Sequence, residues 1–156
     1  MPLLVLCMTG CQTIDVSKAT IHELAFSGSA KLLRQVVLNR QTVNEPDSLG
    51  FRPLTYAAFG NEDPEVVQIL IEAGADVNVR ASESYAGTGW TVLMYDASNN
   101  TQEVVDLLIA NKAEVNAQSA NGFTALIAAA KYSNRPEVII SLLEAGATVS
   151  YTHLRA

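Results

Sequence analysis

The chain has 156 residues, 49% of them apolar, and a formal net charge of −6. That length suits one compact domain or a short array, and the apolar residues nowhere form a run long enough to cross a bilayer. No Lys/Arg cluster offsets the acidic balance, which argues against duplex DNA or RNA as a partner, because phosphate neutralisation supplies most non-specific affinity. Cys7 and Cys11 lie together near the N-terminus and no other cysteine follows, so neither a disulfide framework nor a zinc site is expected. Nothing in the sequence asks for a cofactor.

In chain order the first segment is Met1-Pro2-Leu3-Leu4-Val5-Leu6-Cys7-Met8-Thr9-Gly10-Cys11, an apolar run that closes on small residues and a cysteine. It resembles the end of a bacterial lipoprotein signal peptide, with Met8-Thr9-Gly10-Cys11 as the lipobox. The resemblance implies removal of residues 1–10 and a diacylglycerol on the sulfur of Cys11. Because Gln12 rather than Asp follows, it also implies export to the outer membrane. The run has no basic stretch before it and is short for a complete signal. The other reading is an ordinary N-terminus packed on the first helical unit of a cytosolic scaffold.

Beyond it, one pattern repeats: an apolar helix, a turn, then Ala-x-Val-Asn. Val66-Val67-x-Ile69-Leu70-Ile71 leads to Ala75-Asp76-Val77-Asn78. Val104-Val105-x-Leu107-Leu108-Ile109 leads to Ala113-Glu114-Val115-Asn116, and Val138-Ile139-x-x-Leu142-Leu143 to Ala147-Thr148-Val149. A degenerate earlier copy runs from Ile21 through Leu32-Leu33-x-x-Val36-Val37 to Val43-Asn44. Self-similarity at this period means stacked units, each burying its apolar face on its neighbours.

The register follows from the numbering. Gly50 and Gly122 are 72 residues apart, as are Pro64 and Pro136, and Gly74 and Gly146. Gly89 divides that interval into 39 and 33, which places an insertion in the connection spanning residues 79–88. Pro64 and Pro136 suit the first helical position, Asp63 suits an N-cap, and Glu65, Glu103 and Glu137 suit the first helical turn. Gly74 and Gly146 suit the left-handed residue that ends a helix. Lys112 and Arg40 hold that place in the other units, at about 1 kcal/mol each relative to glycine.

A second motif precedes each outer helix. It reads Gly50-Phe51-Arg52-Pro53-Leu54-Thr55-Tyr56-Ala57-Ala58, then Gly89-Trp90-Thr91-Val92-Leu93-Met94-Tyr95-Asp96-Ala97, then Gly122-Phe123-Thr124-Ala125-Leu126-Ile127-Ala128-Ala129-Ala130. Together with Ala-x-Val-Asn it resembles the ankyrin repeat, over residues 18–148 or so. The resemblance implies an all-α fold, an α-solenoid of about four helix-turn-helix repeats with hairpin loops. The units fall at about 18–47, 48–80, 81–118 and 119–148. It also implies a non-catalytic module that binds a protein through its concave hairpin and inner-helix face. An envelope inhibitor or immunity-type protein is the sharper expectation, by family analogy alone.

Val149-Ser150-Tyr151-Thr152-His153-Leu154-Arg155-Ala156 departs from the repeat. It resembles the in-frame translation of a transposase-end sequencing adapter, so no function is read from it. The repeat is then expected to be interrupted at Thr148. Within 11–148 there are nine basic and sixteen acidic residues, 9 − 16 = −7.

Catalytic chemistry is thinly provided. His22 is the one histidine outside the tail, at a place where the repeat family uses the ring to hold backbone, so no Ser–His–Asp or Cys–His set can be assembled. Glu62, Asp63 and Glu65 read as helix capping, and Gly87-Thr88-Gly89 is too short for a phosphate loop. Asp96 breaks a local rule: it stands where the neighbouring units have Ala57 and Ala129, and a buried carboxylate needs a partner or a raised pKa. A hydroxyl or backbone donor in the insertion, such as Ser82, Ser84 or Thr88, is expected to meet it; the alternative is a binding role.

Binding candidates lie elsewhere. Phe51, Trp90 and Phe123 follow the hairpin glycine in successive units and should form a ladder, either as structural packing or as partner anchors. Phe59, Ser98, Asn99, Lys131 and Tyr132 are expected at the exposed end of the inner helices, and Leu49 and Asn121 at hairpin tips. Tyr85 in the insertion completes the set, as loops on rigid scaffolds often carry recognition.

Overall fold

The computed structural model describes residues 20–37, 43–81 and 89–149. Eight helices run through them: α1 (Ile21–Ser27), α2 (Ala30–Val37), α3 (Pro53–Gly60), α4 (Pro64–Glu72), α5 (Val92–Asn99), α6 (Gln102–Ala110), α7 (Ala125–Tyr132) and α8 (Pro136–Glu144). They pair in sequence as four units. The first helices α1, α3, α5 and α7 stack as an inner row, and α2, α4, α6 and α8 stack as an outer row. The array is an α-solenoid. Among the described residues, the one β-type pairing is an isolated bridge between Arg80 and Thr91 at the base of the long connection.

Local chemistry sets the helix starts. Thr20 accepts from the Glu23 N–H while the Glu23 carboxylate accepts from the Thr20 N–H, a reciprocal capping box. The hydroxyls of Thr91 and Thr124 accept from Met94 and Ile127 N–H, each at 3.3 Å, and the Asp63 carboxylate accepts from Glu65 N–H at 2.9 Å. Pro53, Pro64 and Pro136 begin their helices, where no N–H partner is needed. The outer helices end through a left-handed residue: Gly74 at φ 91°, Gly146 at φ 89° and Lys112 at φ 70°. Lysine therefore keeps the backbone its glycine counterparts adopt, against the steric cost of its Cβ.

Small residues let the inner row close up. Ala25, Ala57, Ala58, Ala97, Ala128 and Ala129 are all fully buried where one inner helix meets the next. Around them Leu24, Leu54, Leu70, Leu93, Leu108 and Leu142 fill one continuous core, each worth about 1.5–3 kcal/mol of burial.

Asparagines fix the register between units. The Asn44 amide donates to Gly74 O at 2.7 Å and its oxygen accepts from Asp76 N–H at 2.8 Å. Asn78 makes the same clasp on Lys112 O and Glu114 N–H, and Asn116 on Gly146 O and Thr148 N–H. A second set closes the inner helices from above: Asn61 donates to Ala25 O and Gly28 O, and Asn100 to Ala58 O and Asn61 O. Orphan C-terminal carbonyls are thereby satisfied by the following unit. In the fourth unit Ser133 takes that place and its hydroxyl accepts locally from Arg135 N–H.

Candidate partner-binding face

The inner row carries a run of aromatic rings. Phe26 stacks on Phe59 with centroids 6.3 Å apart, and Phe59 meets the edge of Tyr95 at 6.1 Å. Tyr95 lies 5.1 Å from Trp90, and Trp90 contacts Phe123 at 5.9 Å and Tyr132 at 6.0 Å. Phe123 and Tyr132 stack at 6.5 Å. Ring pairs at these spacings add stability beyond their buried area. The rings thus link all four units, yet Phe59 and Tyr132 remain about half exposed, at 53% and 52%.

The expected ladder of Phe51, Trp90 and Phe123 is present but not self-contained. All three are half-buried, and Tyr95 stands between Phe51 at 6.4 Å and Trp90. Tyr95, Tyr56 and Phe26 belong to the run and were not among the sequence candidates. Tyr56 and Tyr95 share one register position, six residues after the hairpin glycine, and Phe26 shares that of Phe59. Lys131 lies over the rings of Phe123 and Tyr132, 5.2 and 5.1 Å from their centroids, in cation–π range. Leu49 and Asn121 are exposed, as is Asn99, whose amide donates to Ser98 Oγ at 2.8 Å.

Ser98 corrects one expectation. It is buried, at 6% exposure, and its hydroxyl donates to Tyr95 O at 2.8 Å. Its side chain is too short to rise above the neighbours that stand on either side. Cys11, Tyr85, Arg40, Ser82, Ser84, Thr88 and residues 150–156 lie outside the described residues.

Three of the four outer helices carry charge of one sign. The outer helices α4, α6 and α8 carry Glu65, Glu72, Glu103, Asp106, Glu137 and Glu144 and no lysine or arginine. Arg34 bridges Glu65 at 3.1 Å and Arg135 bridges Glu62 at 2.6 Å, surface pairs of at most about 1 kcal/mol each. With Asp63 acting as a cap, the cluster Glu62, Asp63, Glu65 is fully used in holding the fold. His22 donates from Nε2 to Glu45 O at 3.0 Å, holding backbone of the next hairpin. Asp47 is partly buried, which works against its ionisation, but the Tyr56 hydroxyl, the Phe51 and Leu49 N–H groups and His22 outweigh this and hold its pKa below the usual value.

Asp96 is fully buried, and neither carboxylate oxygen has a hydrogen-bond partner among the described residues. Ser82, Ser84 and Thr88, the donors expected from the insertion, lie outside the described residues. Burial pushes its pKa well above the ordinary carboxylate range, opposed more weakly by the Asn100 amide. That amide donates to the carbonyls of Ala58 and Asn61. Among the described residues no group of three or more His, Cys, Asp or Glu gathers as a metal site, and no helix is long and apolar enough to cross a membrane.

Paired helices stacked in two rows, left-handed unit ends and an asparagine clasp between units define a helical-repeat protein. A family model described as ankyrin repeats (3 copies) matches residues 80–153, and one described as ankyrin repeat matches residues 49–82. The chain belongs to the ankyrin-repeat family, a class of protein-interaction modules. It is 38% identical over 83 residues to ankyrin repeat and SAM domain-containing protein 6 of Rattus norvegicus, covering 53% of this chain and 9% of that protein. It is 40% identical over 77 residues to the DNA-binding protein RFXANK of Homo sapiens, covering 45% and 29%. It is 36% identical over 77 residues to the 2-5A-dependent ribonuclease of Homo sapiens, covering 49% and 10%. The chain therefore spans less than a third of each of these relatives.

Proposed function

We infer that the protein is a non-catalytic module that holds a protein partner against its inner row. The observation that carries this reading is the aromatic run from Phe26 to Tyr132, with Phe26, Phe59 and Tyr132 exposed beside Lys131, while the outer helices α4, α6 and α8 are acidic. Exposed rings on a pre-formed surface supply contact area at low ordering cost. Phe59, Trp90, Phe123, Lys131 and Tyr132 form the centre of the site. Leu49, Phe51, Asn99 and Asn121 border it, and Tyr85 contributes from the insertion. The test is capture of binding proteins from cell extract by the wild-type chain and by a Phe59→Ala, Tyr132→Ala double variant. The expected result is loss of the captured protein from a variant that remains folded, with a melting temperature lowered by the lost ring contacts. Equal capture by a folded double variant would refute the reading.

The proposed setting is the bacterial envelope, with the chain lipid-anchored through Cys11 and acting as an inhibitor or immunity-type protein. What supports it is Met8-Thr9-Gly10-Cys11 after an apolar run, and family analogy for the role. Fractionation of wild type and Cys11→Ala tests it: wild type in the membrane and the variant released supports anchoring. Soluble, unprocessed wild type instead favours a cytosolic scaffold. The proposal also treats residues 149–156 as adapter-derived, which the sequence of the genomic locus decides.

A further inference from the structure

Each inner helix offers one side chain at the same place, two residues before its C-cap. In order these are Phe26, Phe59, Ser98 and Lys131. Since the helices stack in sequence, the four stand in line along the inner row. Ser98 interrupts that line. It sits buried on α5, flanked by Phe59 on α3 and by Lys131 and Tyr132 on α7, all exposed. The floor beside it is aromatic, with Tyr95 and Trp90 in contact at 5.1 Å, Tyr95 reaching Phe59 and Trp90 reaching Tyr132. The result is a saddle with aromatic walls, one side chain deep.

The charge beside the saddle is positive. The salt bridges among the described residues engage Arg34 and Arg135, and none engages Lys131. Its ammonium group lies over two rings, which hold it in place and leave its donors for an incoming acceptor. On the outer row α4, α6 and α8 are purely acidic. An acidic segment is therefore repelled from α4, α6 and α8 and attracted to Lys131 on the inner row. A basic segment meets the opposite field.

We propose that the saddle over α5 anchors an extended polypeptide segment carrying a large apolar side chain next to a carboxylate. The apolar group seats over Ser98 between Phe59 and Tyr132, and the carboxylate pairs with Lys131. This deepens the partner-binding reading above and rests on it.

Trp90 is the only tryptophan of the chain and lies in the saddle floor, so its fluorescence reports occupancy directly. Three capped peptides serve as probes: Gly-Phe-Glu-Glu-Gly, Gly-Phe-Lys-Lys-Gly and Gly-Ser-Glu-Glu-Gly. The first is expected to bind about fivefold tighter than the second, the upper range for an exposed ion pair, and also tighter than the third, which lacks the apolar group. Lys131→Glu, an exposed change that spares the core, should reverse the order of the two phenylalanine peptides. Ser98→Phe should fill the saddle and weaken the first peptide by a similar factor. Equal affinity of the acidic and basic peptides, or an order unchanged in Lys131→Glu, overturns the proposal. So does silence of Trp90 towards all three. In each of those cases, native partner capture that depends on Phe59 and Tyr132 would leave the broader reading standing.

Discussion

Replacing Asp96 by alanine should stabilise the array, although it removes a fully buried side chain. Both carboxylate oxygens lack partners among the described residues, and an unpaired buried polar group costs about 1–3 kcal/mol even when neutral. Ala57 and Ala129 hold the same place in the flanking units at 0% exposure, so the surrounding helices already pack against a methyl there. Against the gain stands the small space a carboxyl group vacates, roughly 1 kcal/mol. The net expectation near neutral pH is a gain of about 1–2 kcal/mol, or roughly 2–8 °C in melting temperature.

The pH dependence carries the sharper test. The folded pKa of Asp96 is raised above its ordinary value of 3.8, so the folded chain keeps a proton that the unfolded chain loses. Below that value both states are protonated and ionisation adds nothing. As the pH rises from there to the raised folded pKa, stability falls, and it levels off above it. The advantage of Asp96→Ala should therefore be least near pH 4 and grow towards neutrality. Asp96→Asn should remove the pH dependence while keeping an unsatisfied polar group. Urea and thermal unfolding followed by circular dichroism across pH 4–8 measure all three proteins. A destabilised Asp96→Ala at pH 7, or a difference that stays flat with pH, would refute the reasoning.

Three further outcomes follow from single contacts. Lys112→Gly should add about 1 kcal/mol, since Lys112 sits at φ 70° where a Cβ is strained; a lower urea midpoint would contradict this. Asn78→Ala removes bonds to Lys112 O and Glu114 N–H and should cost about 1–3 kcal/mol, with hydrogen exchange accelerated first at the junction of units two and three. The pKa of Asp47 is lowered, so its share of stability is present above the ordinary carboxylate value and fades as the pH falls through the folded one. NMR titration should show Asp47 below free aspartate in the wild type and nearer to it in Tyr56→Phe.

Repeated contacts were legible because each copy states them again. Ala-x-Val-Asn recurs because the asparagine at its end always clasps the next unit, and Gly74 and Gly146 recur because a helix ends there left-handed. The same comparison exposed Lys112 as a strained substitute. What register could not supply was depth. Ser98 occupies the place of exposed Phe59 and Lys131, but a side chain's exposure depends on its own length and on the height of its neighbours. Tyr56, Tyr95 and Phe26 escaped notice for a related reason. They lie inside short apolar helices, where an aromatic reads as core, and only stacking brings their rings into one run. For Asp96 the sequence placed a carboxylate in the core, and the structure adds that no described donor pairs with it.

Two departures from the repeat fall within α5, Asp96 in the core and Ser98 at the surface. They are two residues apart, about 200° around a helix, and so face different neighbours. If the saddle is a matter of shape and of Lys131 alone, relieving the buried carboxylate should not affect it. Asp96→Ala should then melt higher yet bind the acidic phenylalanine peptide within about twofold of wild type, as expected for independent sites. A loss of affinity well beyond that, in a variant more stable than wild type, would mean that α5 must yield for the side chain to enter. The unpaired carboxylate would then belong to the binding site, acting through the stiffness of the helix.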